Sequence, residues 1–282
     1  KGQASNPCHS DSQGVRMIYH ETEHGILYCG DCLEIMPMFA DKSIDMVLCD
    51  LPYGTTACKW DVIIPFEPLW EQYKRIIKDN GAIVLTASQP FTSALVMSNP
   101  DMFRYEWIWH KNFSGGFILA KKQPMKYHEN ILVFYKNQST YNPQFEEYAD
   151  SVKKRFKEGD TSPIGMTKNN VSNIKCVKRV ISFKKGKYPS TVQKIKGVGN
   201  ANSEHLHPTQ KPVALFEYLI KTYTNEGDLV LDNCAGSGTT AIACIRLNRK
   251  YILIEKEEKY CEIAARRIET ELDQTDIFRE AP

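Results

Sequence analysis

Short apolar runs recur along the chain, each closed by a polar or turn-forming residue. Met46-Val47-Leu48-Cys49 ends at Asp50, Asp228 to Leu231 at Asp232, and Tyr251 to Ile254 at Glu255; Gly25 to Cys29 is followed by Gly30-Asp31. Ala82 to Ala87 is a further run of the same kind. Such runs predict strands buried on both faces of a sheet. Tyr105 to His110 and Asn130 to Tyr135 are rich in aromatic and β-branched residues and predict two more strands. The glycine- and lysine-rich stretch between them, Phe113 to Tyr127, predicts a loop. Helical spacing fills the gaps. It covers Cys32 to Phe39, Pro65 to about Lys78 (ended by Asp79-Asn80-Gly81), Phe91 to Ser98, Val213 to Tyr223 behind Pro212, a segment to Leu247, and Glu257 to about Leu272. Strands alternating with helices predict an α/β fold, a doubly wound and mostly parallel sheet. No internal repeat is visible.

Composition adds little to this picture until it is read locally. Over 282 residues the chain is 42% hydrophobic and 25% charged, with a formal net charge of +2, so global charge selects no partner. No apolar run approaches the length of a membrane span. Lys1 to Arg16 is polar, lacks the apolar core of a signal peptide, and reads as a flexible lead or appended remnant with Met17 as the start. Nine cysteines at irregular spacing, several inside strand or helix patterns, suit reduced thiols in a cytoplasmic protein. Cys29 and Cys32 form a C-x-x-C, but no second pair follows at zinc spacing, so packing explains them and no metal is expected. Local charge is different. Between Ser151 and Gly197 thirteen basic residues, Lys184, Lys185 and Lys187 among them, face two acids, Glu158 and Asp160. Interleaved with Phe156, Phe183 and Tyr188, they suit a small basic insertion that meets nucleic acid; a solvated basic surface is the alternative.

Two stretches carry candidate chemistry. Asp50-Leu51-Pro52-Tyr53 closes a buried strand with a hydrogen-bond acceptor, a carbonyl held extended by the following proline, and an aromatic face, which together would hold a flat group bearing an amine. The loop from Thr55 to Ile64, with Lys59 and Trp60, is placed to close over such a substrate. Far downstream, Asp232-Asn233-Cys234-Ala235-Gly236-Ser237-Gly238-Thr239-Thr240 forms a glycine turn between strand and helix, where a ligand can approach the backbone. Gly236, Gly238 and Ala241 satisfy the spacing of dinucleotide sites, which keeps an NAD-dependent oxidoreductase open as an alternative. Against it, Asp232 before the turn would repel a pyrophosphate and welcome an amino group.

Asp50 to Gly54, together with Asp232 to Thr240 and Glu255, resembles the amino-methylating DNA methyltransferases that use S-adenosylmethionine. The order, with the catalytic motif first, then a basic variable region, then His207 to Pro212, then the cofactor turn, is similar to the β-group permutation of that family. The resemblance covers roughly Gly25 to Glu269 and implies a circularly permuted, Rossmann-like methyltransferase fold. On it, residues 1–16 are a lead, 17–137 the catalytic half, 138–200 the target-recognition region and 201–282 the cofactor-binding half. It implies Asp232, Ala235, Gly236, Ser237, Gly238 and Thr239 at the methionine part of the cofactor, Glu255 at the ribose, and Asp31 with Cys32 at the adenine. His207, Thr209 and Lys211 match the segment that closes over the cofactor, and Asp50 borders both ligands. Asp50, Leu51, Pro52 and Tyr53 would be catalytic. Tyr53, Lys59, Trp60, Lys184, Lys185 and Lys187 would meet double-stranded DNA.

The exocyclic amine of a base is a poor nucleophile because its lone pair is shared with the ring. Two acceptors, Asp50 and the Leu51 carbonyl, would draw it toward tetrahedral geometry and stabilise the charge that develops on nitrogen. Family enzymes with Asp at the first motif position usually methylate N6 of adenine, those with Ser N4 of cytosine, so the resemblance implies adenine; Leu51 departs from the proline often found second. The implied product is a site-specific mark made on a flipped base by a bacterial or phage-encoded cytoplasmic enzyme, of the kind found in restriction-modification systems. N4-cytosine, RNA and protein glutamine remain alternative targets, and a homodimer stays open because enzymes of this group often dimerise. A catalytically silent DNA-binding module is the remaining alternative.

Overall fold

The computed structural model describes residues 18–56, 58, 61–115, 117–162, 179–198 and 210–280, and the side chains up to residue 274. The expected lead, Lys59 and Trp60, and His207 and Thr209 lie outside the described residues. The chain divides into two units, residues 1–142 with 191–282 and residues 143–190.

The larger unit is built on one nine-stranded sheet. Its strands are β1 (Ile18–Thr22), β2 (Gly25–Cys29), β3 (Ile44–Cys49), β4 (Ile77–Ala87), β5 (Phe103–Gly115), β6 (Lys126–Phe134), β9 (Val192–Lys194), β10 (Leu229–Asp232) and β11 (Lys250–Glu255). Their spatial order is β1-β2-β11-β10-β3-β4-β6-β5-β9. The central run from β2 through β11, β10 and β3 to β4 is parallel throughout. β6 is antiparallel to both β4 and β5, and β1 to β2. This is the expected doubly wound α/β sheet with antiparallel elements at its flanks.

Alternation along each buried strand sends side chains into two cores. In β3, Met46 and Leu48 face one core and Val47 and Cys49 the other; in β4, Ala82 and Val84 separate from Ile83 and Leu85 in the same way. The first core is closed by α5 (Val213–Tyr223), α6 (Thr239–Arg246) and α7 (Glu258–Glu280), through Leu215, Phe216, Ala241, Ile242, Cys261 and Ala264. The second is closed by α1 (Cys32–Ile35), α2 (Phe66–Ile76) and α3 (Phe91–Ser98), through Ile35, Leu69, Trp70, Tyr73 and Leu95. No described helix is long and apolar enough to cross a membrane.

The smaller unit holds α4 (Asp150–Arg155) and a two-stranded ladder of β7 (Thr161–Ser162) with β8 (Arg179–Val180). Glu158 ties it together by accepting hydrogen bonds from the Ser182 hydroxyl at 2.8 Å and the Phe183 amide at 2.5 Å. Lys187 pairs with Glu146 at 3.0 Å.

Several boundaries differ from the sequence expectations. The helix expected to reach Lys78 stops at Ile76, and the strand expected from Ala82 already begins at Ile77. Gly81 sits inside that strand, where a side chain would meet the Asp45 carbonyl at 2.8 Å, so this glycine permits a close crossing instead of ending a helix. The loop expected over Phe113 to Tyr127 is the tip of a long hairpin: β5 continues to Gly115, β6 starts at Lys126, and a 3₁₀ turn covers Phe117–Leu119. The Cys32–Phe39 helix splits into a four-residue α-helix and a 3₁₀ turn over Met36–Met38, where Pro37 interrupts the α-helical hydrogen bonds. β1 carried too weak an alternation to be read.

Gly25 pairs with Tyr251 across β2 and β11, and a Cβ there would lie 2.0 Å from the Tyr251 carbonyl oxygen and 2.7 Å from its ring. The oxygen is fixed by the sheet, so the strands must part. Gly25→Ala is expected to cost about 3 kcal/mol or more in urea denaturation, at the upper end for overpacking a buried site; a loss within the scatter of neutral surface changes would contradict this packing.

Candidate active site

Four neighbouring parallel strands each end on an acid. Asp31 follows β2, Glu255 ends β11, Asp232 ends β10 and Asp50 follows β3. All four line one cavity of about 610 Å³ at the carboxyl edge of the sheet, together with Leu51, Pro52, Tyr53 and Lys211. Ligand sites in open α/β sheets lie at this edge because the strand-to-helix loops gather there.

Asp50 is the most tightly held of the four. Tyr53 Oη donates to its Oδ1 at 2.8 Å, Thr86 Oγ1 donates to the same oxygen, and Lys211 Nζ donates to Oδ2 at 2.6 Å. Lys211 Nζ also lies 3.4 Å from Glu129 Oε2, and Glu129 Oε1 pairs with Lys111. Asp50, Lys211, Glu129 and Lys111 thus form a chain of alternating charge. Burial opposes the Lys211 charge, but Asp50 and Glu129 outweigh it and hold the ammonium above its usual range. Burial likewise opposes ionisation of Glu129, and Lys211 and Lys111 reverse that, holding its carboxyl below the usual range. Glu129 Oε2 accepts no direct hydrogen bond among the described residues, although the ion pair reaches it. The Tyr53 ring stacks on Phe91 at 5.3 Å between centroids. Burial and the Asp50 charge beside it push the Tyr53 phenol up, so it stays a donor.

The loop after the motif is organised by Asp61. Its carboxylate accepts from the Gly54, Thr55 and Thr56 amides at 2.8, 2.9 and 2.6 Å. Gly54 takes φ +67°, a left-handed conformation that favours glycine. Thr55, Thr56 and Asp61 to Pro65 then form one wall of the cavity.

The glycine turn forms the opposite side. Gly236 and Gly238 have φ of +52° and +77°, which lets the chain reverse from β10 into α6. Glu255 holds this turn, accepting from Gly236 N at 2.7 Å and from Glu257 N at 2.9 Å. Arg267 braces it from α7, donating to the Ser237 carbonyl at 2.5 Å and to its hydroxyl at 3.0 Å. Asp31 caps α1 through the Leu33 amide at 2.9 Å and pairs with Lys256 at 3.0 Å. Asp232 is 2% exposed; Thr240 Oγ1 and the Cys234 amide donate to it at 2.5 and 3.1 Å.

Of the residues singled out from sequence, Asp31, Asp50, Leu51, Pro52, Tyr53, Lys211, Asp232, Ala235, Gly236, Ser237, Thr239 and Glu255 line the cavity. Cys32 and Gly238 do not: Cys32 is buried beside Cys234, and Gly238 packs against Ala264 of α7. Lys184, Lys185 and Lys187 belong to the smaller unit. Sequence reading missed Thr86, Glu129, Lys111 and Asp61. Glu129 left one signal, an acid two residues before the four-residue apolar run Ile131 to Phe134; because β6 is antiparallel, that end of the strand lies at the same edge as the ends of the parallel strands.

The arrangement favours a ligand bearing cationic and hydroxyl groups. Acids at four strand ends would repel a pyrophosphate, and the Gly236 amide that a dinucleotide would use is committed to Glu255.

Comparison with known proteins agrees. The DNA methylase family model, which spans N6 and N4 enzymes, matches residues 44–266. The type II methyltransferase M.HpaI of Haemophilus parainfluenzae is 27% identical over 268 residues, covering 90% of this chain and 77% of the relative. The DNA adenine methyltransferase YhdJ of Escherichia coli K12 is 28% identical over 254 residues, covering 85% and 81%. Among solved structures, the M1.HpyAVI complex with SAM superposes with a TM-score of 0.57 at 24% identity, covering 86% of this chain and 98% of that one.

Burial pushes the Asp232 carboxyl up to about 7. A folded-state value above the unfolded one means that the folded protein binds the extra proton, so stability is fullest below the unfolded value, near 4, and falls as pH rises toward 7. Melting temperature of the ligand-free protein should therefore decline between about pH 4 and 7, and less steeply in Asp232→Asn. Parallel profiles for the two proteins would contradict a strained Asp232.

Proposed function

The chain belongs to the DNA methylase family of N6 and N4 amino-methyltransferases, and within that family we propose that it methylates the exocyclic N6 of an adenine flipped out of double-stranded DNA. The observation that carries this reading is the Asp50 cluster: a half-buried, oriented carboxylate at the end of a strand, beside an aromatic ring, in the cavity that also holds the glycine turn. Asp at this position resembles the family's adenine enzymes. The relative named as an adenine methyltransferase supports the same choice.

S-adenosylmethionine supplies an electrophilic methyl on a sulfonium carrying an amino acid and a nucleoside. The residues present fit it. Asp232 and the turn from Ala235 to Thr239 would take the amino acid part, Glu255 the ribose hydroxyls, and Asp31 the adenine side. Four carboxylates suit a cationic ligand, and burial without a cation strains Asp232 in the direction such a ligand would relieve. Tyr260 and Lys256 complete that end of the wall.

Asp50 then orients the target. Its Oδ2 takes one bond from Lys211, and each carboxylate oxygen has two lone-pair sites, so room remains for one N–H of the base amine. The Leu51 carbonyl would take the other. Two acceptors turn the nitrogen lone pair toward the methyl, and Asp50 stabilises the positive charge as it develops. No proton need leave before transfer, because the methylated amine is acidic enough to lose it afterwards. Tyr53, braced by Phe91, gives the flipped base an aromatic surface worth roughly 1–3 kcal/mol against the cost of unstacking. Lys184, Lys185 and Lys187 of the smaller unit, with the basic residues around them, would contact phosphates during recognition.

Incubation with labelled S-adenosylmethionine and unmodified duplex DNA, followed by nucleoside mass spectrometry, tests this. The expected product is N6-methyladenine, with Asp50→Ala lowering kcat by about a hundredfold or more while donor binding persists. N4-methylcytosine would overturn the target atom, and no transfer to any DNA would overturn the substrate class.

A further inference from the structure

The hairpin joining β5 to β6 ends in an apolar tip that is exposed among the described residues. Phe117 is 78% exposed, Ile118 95% and Leu119 44%. Monomeric proteins scatter exposed apolar residues singly; three in succession at one tip mark a contact surface. The tip is also held in shape. Ala120 N donates to the Phe117 carbonyl at 3.0 Å, and Lys122 and Gln123 donate to the Leu119 carbonyl at 2.8 and 3.0 Å. The side chains are therefore presented by a hydrogen-bonded turn.

Topology sets where this tip points. β5 runs in the direction of β4, because both are antiparallel to β6. Its carboxyl end, and the hairpin beyond it, leave the sheet at the edge that carries Asp50, Asp232 and Glu255. Trp109, Lys111 and Phe113 of β5 and Glu129 of β6 line the active-site cavity itself. The apolar tip is the outward continuation of that wall.

Charge identifies the partner. From Trp107 to His128 the chain carries four lysines and no acid. Lys111 is committed to Glu129, while Lys121, Lys122 and Lys126 are exposed around the tip. An apolar point ringed by lysines, next to a site for a single base, matches a duplex with a gap in its stack: lysines for the phosphates, and apolar side chains for the space between base pairs.

Building on the assigned target, we propose that Phe117, Ile118 and Leu119 form a wedge that enters the DNA stack at the position vacated by the target base and holds the duplex open while the base lies in the cavity. The wedge acts on base extrusion, and the groups at Asp50 act on transfer. Its contribution therefore depends on how firmly the target base is stacked and paired, which a general binding surface would not do.

The test compares wild type with Phe117→Ala/Ile118→Ala on two duplexes carrying the sequence that the wild type methylates: one intact, and one with an abasic site opposite the target base. Both replaced residues are solvent-exposed, so thermal unfolding of the variant should match wild type. The wedge predicts a fall in kcat/KM of about tenfold or more on the intact duplex and recovery to within about threefold of wild type on the abasic one, since each tenfold is about 1.4 kcal/mol of extrusion. Unchanged activity on the intact duplex overturns the wedge, as does an equal loss on both substrates, which would mark a simple contact surface. Inactivity of the wild type on every DNA would instead overturn the assigned target, and this proposal with it.

Discussion

A carboxylate at the end of a fully buried strand is the constraint on which the rest of this structure turns. Asp50 follows β3, whose last four residues are fully or almost fully buried, and an unpaired charge there would be expensive. The fold brings in Lys211, 161 residues away in sequence, as its counter-ion, with Tyr53 and Thr86 as further donors. Lys211 is itself buried and would be costly without its second acid, Glu129, which in turn needs Lys111. Each charge is the condition for the next. The result is a carboxylate fixed in place by three donors, in a cluster whose formal charges cancel.

That cluster explains why sheet topology matters for chemistry. Parallel strands bring Asp31, Glu255, Asp232 and Asp50 to one edge, where α/β folds bind ligands. The reversal at β6 adds the start of that strand, with Glu129, to the same edge. The acids divide the work. Glu255 and Asp61 accept from backbone amides and so shape the two loops that wall the cavity. Asp50 and Asp232 line the cavity between those loops. Burial, with the Asp50 charge nearby, outweighs the donors from Thr240 and Cys234 and pushes the Asp232 carboxyl up to about 7.

Much of this was legible in the chain, and the boundary of legibility has a physical cause. The buried strands and the acids that end them show in sequence because an apolar run and its polar stop are local. The glycine turn shows because φ values of +52° and +77° demand glycine. Glu129, Lys111 and Thr86 were not legible, since they matter only through contact with residues far away along the chain. The two hairpin strands were expected, but the loop between them was drawn too wide, because the strand ends are half-exposed and their glycines and lysines resemble turn chemistry; the pairing of Gly115 with Lys126 decides the matter. Gly81 was read as a helix stop when it marks a close approach to β3. In each case tertiary contact overrode a sound local signal.

On the proposed mechanism, Asp50 receives the target amine without giving up the contacts that orient it. A crystal structure with a duplex containing the methylated sequence and a non-transferable analogue of S-adenosylmethionine tests this most directly. The expected result is an extruded base with its amine donating to Asp50 Oδ2 and to the Leu51 carbonyl, and Thr86 and Tyr53 still on Oδ1. An extruded base whose amine meets other groups, with Asp50 bonded to Lys211, Tyr53 and Thr86 alone, would contradict it.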